Sequence, residues 1–108
     1  MKKILISLFM LLSINVLAAY KDSDDVKIQL ISVVSSSGDI LVQTNPEHSI
    51  EGLGCTNNFW LTLDSNEPGY QAVLSLLLSA QVTQRNVTVR ARDSGGEHCV
   101  LERVITKP

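Results

Sequence analysis

The sequence predicts a mainly β domain with one helix, its elements running β-β-β-α-β-β and closing as a five-stranded barrel. Three observations predict this. Apolar and polar residues alternate over several short runs separated by turn residues, the period of half-buried strands. Only the stretch from Tyr70 to Gln81 carries apolar residues at helical spacing. Two cysteines, Cys55 and Cys99, stand before the third and at the fifth run, placed to clamp the ends of a small core.

The N-terminus reads as a secretory signal peptide, residues 1–19, leaving residues 20–108 as a single domain. Lys2 and Lys3 form a short positive region, residues 4–12 are an apolar run broken only by Ser7, and Val16, Leu17 and Ala18 suit a signal peptidase. Cleavage is expected after Ala18 or Ala19. A retained membrane anchor is the rival, but the run is short for a bilayer and Asn15 interrupts its end. The chain is therefore expected in a secreted or periplasmic setting, without membrane insertion. The full sequence has 9 Lys and Arg against 11 Asp and Glu, a net charge of −2; losing Lys2 and Lys3 takes this to −4. That balance argues against nucleic-acid binding and against a polybasic membrane anchor. In an oxidising compartment two cysteines have one intramolecular pairing, so a Cys55–Cys99 disulfide is expected, worth about 4 kcal/mol in the chain-entropy model. A metal site or a catalytic thiol would need a partner cluster that the sequence does not supply, and no metal or cofactor is expected.

Residues 20–25 are polar and acidic and read as a frayed terminus. Val26, Ile28 and Leu30 alternate with Lys27 and Gln29, starting a first strand over residues 26–35. Ser35 to Asp39 is turn chemistry around Gly38, and residues 40–44 form the second strand of a hairpin. Residues 45–54, with Asn45-Pro46 and two glycines, form a loop long enough to hold binding residues. The third strand, residues 58–63, points Phe59, Leu61 and Leu63 one way and Trp60 and Thr62 the other. Ser65 or Asn66 is the expected helix cap, with Glu67 and Pro68 in the first turn. Tyr70, Val73, Leu74 and Leu77 share one helix face, and Ala72, Leu76 and Ala80 widen it; no charge falls between Pro68 and Gln84. Residues 83–86 end the helix. Val87, Val89 and Ala91 alternate with Thr88, Arg90 and Arg92, residues 93–97 turn, and residues 99–106 complete the last strand. This order in so short a chain fits the Greek-key barrel of the OB-fold; an open α+β sandwich is the alternative.

No catalytic set is legible, and the chain is read as a non-enzyme. His48 and His98 each follow a glutamate, but sequence neighbours on a strand or loop point apart, so both read as solvated polar residues. There is no nucleophile elbow and no phosphate-binding glycine pattern. The sequon Asn86-Val87-Thr88 reads as incidental. Arg90 and Arg92 could grip an anionic group in fork geometry, or serve as a solubilising strand face. Trp60 suits core, subunit contact, or stacking on a sugar or base. The helix surface is wider than one small barrel can cover, which points to Leu76 and Leu78, with Trp60, as a subunit interface.

The segment from Asn58 to Asp93, NFWLTLDSNEPGYQAVLSLLLSAQVTQRNVTVRARD, resembles the strand–helix–strand centre of the B subunits of AB5-type bacterial toxins, of the subtilase-cytotoxin and pertussis-like kind. The likeness in element order extends over most of residues 20–108. It implies an OB-fold, a homo-oligomer in the form of a ring pentamer with the helices lining its pore, binding to a cell-surface glycan, and a separate toxic A subunit. It also implies that the serine turn Ser35, Ser36 and Ser37 contacts sugar, with Arg90 and Arg92 as further glycan-binding candidates.

Overall fold

The computed structural model describes residues 19–107, so the expected signal peptide lies, but for Ala19, outside the described residues. Five strands close into a barrel in the order β1-β2-β3-β5-β4: β1 Tyr20–Val33, β2 Ile40–Asn45, β3 Asn57–Leu63, β4 Val87–Arg92 and β5 His98–Thr106. The helix α1, Tyr70–Thr83, joins β3 to β4. Only β3 and β5 run parallel; the other four pairings are antiparallel. This is an OB-fold-like barrel, and its closure sets aside the open sandwich.

Closure depends on the stretch expected to fray. Residues 20–26 pair with β4, from Tyr20 opposite Arg92 to Val26 opposite Val87, while residues 27–33 pair with β2. One strand thus serves two neighbours, bending at irregularities after Ser23 and after Ile28, and Asp25 takes a positive φ of 56° at the first of them. The acidic residues that suggested disorder are the outward half of the alternation. Asp24 accepts a hydrogen bond from Thr88 Oγ1 at 2.8 Å, and Asp22 pairs with Arg90. Polar partners across the ladder order a strand with little apolar pattern of its own.

The inward residues pack as one cluster, including Ile28, Val42, Leu61, Val89 and Leu101, all within a few percent of full burial. The helix seats Leu77 and Ala80 in the same core, with Tyr70, Val73 and Leu74 partly buried beside them. Cys55 and Cys99 form the expected disulfide, their Cα atoms 5.4 Å apart, tying the approach to β3 to the start of β5.

The helix begins later than Ser65 or Asn66 would have it. Gly69 is its N-cap and no side chain caps it. Ser65 Oγ instead donates to the Ser37 carbonyl at 3.0 Å, and the Asn66 amide is held by Asp64 Oδ1 at 2.9 Å. The segment before the helix is therefore a clasp onto the β1–β2 turn. Tyr70 completes it by donating its hydroxyl proton to the Gly38 carbonyl at 2.6 Å. At the other end Gln84 caps in the left-handed region, φ 53°, with the Arg85 amide returning to the Ala80 carbonyl.

Candidate functional site

The helix turns two unlike faces to its surroundings. Leu77 is fully buried, yet Leu76 is 39% exposed, Leu78 46% and Val82 81%. The remaining outward residues are Gln71, Ala72, Ser75, Ser79 and Thr83, so the exposed face is uncharged. Leu30 and Val33 of β1 are also exposed, and Gln81 Nε2 reaches the carbonyl of Gln29, next to Leu30, which brings that strand alongside the helix C-terminal half. Trp60, grouped with Leu76 and Leu78 in the expected interface, stands on β3 and is partly buried.

Ser35, Ser36 and Ser37 are all exposed in the turn between β1 and β2. Gly38 makes the turn possible with a φ of 80°, and its amide returns to the Val34 carbonyl at 2.7 Å. Arg90 and Arg92 point outward from β4 as expected, but each guanidinium already has carboxylate partners. Arg90 grips both oxygens of Asp22, at 2.8 and 3.3 Å, and lies 5.4 Å from the Tyr20 ring centroid. Arg92 bonds Glu67 at 2.9 Å and also Glu102. The hydrogen bond from Arg90 holds the Asp22 carboxyl below the usual carboxylate range, and the bonds from Asp22 and Glu67 push the two guanidinium groups up. The clasp segment joins these features: Ser65 meets the serine turn and Glu67 meets Arg92.

His48 is not solvated. It is 1% exposed, and neither ring nitrogen has a hydrogen-bond partner among the described residues. Desolvation, with a smaller contribution from His98, pushes its pKa down to about 4. The loop that carries it is tied down on several sides. Its carbonyl accepts from Asn58 Nδ2, the Ser49 amide donates to Ser23 Oγ at 2.8 Å, and the Gly54 amide donates to Asp93 Oδ2 at 2.8 Å. Ile50 and Leu53 of the same loop pack on the core, and these apolar residues were the signal in the sequence that the loop lies against the barrel.

The strongest departure from the expected alternation is in β3. Its bridges to β5 run from Asn57–His98 to Thr62–Val100, so β3 uses five residues where β5 uses two. On the other side the ladder to β2 ends at Leu61 opposite Val42. Residues 58–60 thus have no registered partner in either neighbouring strand and form a bulge within β3. Phe59, expected inside with Leu61 and Leu63, is 41% exposed. Its ring lies edge-to-face against Trp60, centroids 4.9 Å apart, where a regular strand would have sent the two side chains to opposite faces. Asn57 sets this geometry: its Oδ1 accepts the Phe59 amide proton at 2.8 Å, and its Nδ2 reaches Glu97 Oε2 at 3.2 Å. An asparagine that bonds the backbone two residues on breaks a strand, and the pair Asn57-Asn58 was the readable sign of it.

Among the described residues no three His, Cys, Asp or Glu side chains converge as a metal-binding group, and no helix is long and apolar enough to cross a membrane. The disulfide fits an oxidising compartment outside the cytosol. No protein-family model matches the chain, nor does any curated protein or solved structure.

Proposed function

We propose that this protein is an exported, non-catalytic binding module that assembles with copies of itself and recognises cell-surface glycans, in the manner of an AB5 toxin B subunit. The observation that carries the assembly is the helix. An uncharged face with Leu76, Leu78 and Val82 open to water is a poor surface for a lone small domain and a good one to bury against another copy. The glycan reading rests on the resemblance of residues 58–93 to those B subunits, together with the exposed serine turn Ser35–Ser37; Arg90 and Arg92, engaged by Asp22, Glu67 and Glu102, add nothing to it. A toxic A subunit seated on the ring completes that reading.

The same apolar face also suits an unrelated protein partner, which would make the chain an exported inhibitor or accessory module. A glycan array probed at high protein density, with sedimentation velocity on the same preparation, separates the two. Assembly into a small closed oligomer that captures a defined set of glycans supports the toxin-like module. A monomer that captures none removes it and leaves the protein-binding module.

A further inference from the structure

We propose that the β3 bulge carries a sugar-contacting surface, with the exposed Phe59 ring as the stacking face, Trp60 as the ring braced edge-on against it, and Asn57 and Glu97 as its polar rim. This rests on the glycan reading and gives it a place and a chemical class of ligand.

Three features argue for it. A bulge that takes residues 58–60 out of both neighbouring ladders forgoes backbone pairing, and such departures re-aim side chains where a protein needs them. Here it turns an aromatic residue from the core direction to the surface and braces it edge-on against a second ring. The surroundings then select the occupant. Asn57 opens the bulge, its side-chain amide bonded to the Phe59 backbone and to the exposed Glu97 carboxylate, so an amide and an acid stand at the start of the bulge. The Asn58 amide is committed to the His48 carbonyl and fixes the back of the bulge. A protein surface seated here would meet polar groups at the edge of the rings. A pyranose meets both needs, since its C–H face stacks on an aromatic ring while its hydroxyls bond planar amides and carboxylates. A galactose-type ring, whose axial 4-hydroxyl leaves H3, H4 and H5 together on the opposite face, presents the most continuous such surface.

Trp60 is the single tryptophan, so its emission reports on this surface alone. The test is titration of the protein with methyl β-galactoside and methyl β-glucoside, followed by Trp60 fluorescence, alongside the glycan array. Phe59→Ala and Phe59→Leu are compared with the parent chain, and each is checked by thermal melting and sedimentation. We expect the emission to shift with sugar, and both variants to bind roughly three- to tenfold more weakly with unchanged oligomeric state. The leucine variant keeps the apolar bulk, so it serves if the alanine variant folds poorly. Undiminished glycan capture by both variants would overturn the platform and leave the glycan reading standing. A changed oligomeric state with unchanged capture would make the bulge a contact between copies and overturn it equally. No captured glycan and no emission change with the parent chain would overturn both.

Discussion

The β1–β4 wall and the helix are both outer surfaces of one barrel, yet they are built on opposite principles. On the wall, outward charges meet partners within the chain: Asp22 with Arg90, Asp24 with Thr88, Lys21 with Glu51, and Arg92 with Glu67 and Glu102. On the helix there is no charge, and several large aliphatic residues face water. A wall whose polar groups are satisfied has little to offer a partner. An apolar face gains by being covered, at about 25 cal/mol for each Å² removed from water. Under the proposed assembly the helix is the face for association, and the ion pairs of the wall remove Arg90 and Arg92 as free cations waiting for an anion.

The sharpest way to probe the two faces is on neighbouring leucines. Leu77→Ala should destabilise the fold by about 3 kcal/mol, the cost of a cavity in a close-packed core. Leu76→Ala should cost well under about 1 kcal/mol when the chain is dilute enough to be monomeric, because its side chain is already wetted. Denaturant unfolding of both, at matched concentrations, reads the contrast directly. Equal losses would mean that both positions are core and that the helix has no face to spare.

Acid offers a comparable effect from a different place. His48 is neutral in the folded chain down to about pH 4, against an ordinary value of 6.5, so between those limits the unfolded chain binds the extra proton. Stability is then complete above pH 6.5, falls as the pH drops through that window, and levels off below about 4. The full change is about 3 kcal/mol. Denaturant midpoints at pH 7.5, 5.5 and 4 should follow that fall, and His48→Leu should flatten most of it. A slope that survives in the variant would place the proton uptake elsewhere.

The smallest effect belongs to the wall. Arg92→Ala leaves two partly exposed carboxylates at the surface, and pairs of this kind contribute about 1 kcal/mol or less. A melting curve displaced far more than that would mean that the wall is held by its ion pairs. The ladder and the bend of β1 are the stronger candidates.

The fold was legible because its signals are local. The alternation in residues 87–92, the turn chemistry at Gly38 and the helical spacing after Tyr70 each mark an element without reference to the rest. The pairing of the cysteines followed from compartment and count. What escaped was decided by other parts of the chain. Residues 20–25 form a strand only because β4 offers them Arg90 and Thr88. Ser65 was free to cap a helix in the sequence, but in the fold its hydroxyl is spent on the Ser37 carbonyl. His48 is buried by a loop whose anchors lie at Ser23, Asn58 and Asp93. Phe59 kept the period of a buried residue, and the unequal step between β3 and β5 put it outside. Of the candidate site residues, Ser35–Ser37 and Leu76 and Leu78 stand exposed, as a contact surface needs to be.

Self-assembly through the helix is the claim on which the rest turns, and sedimentation velocity of the parent chain beside a Leu76→Asp, Leu78→Asp variant tests it most directly. The parent should sediment as a closed ring of copies. The variant should sediment as a monomer, with a melting temperature close to that of the dissociated parent. A parent that stays monomeric at every concentration, or a variant that remains assembled, would contradict it.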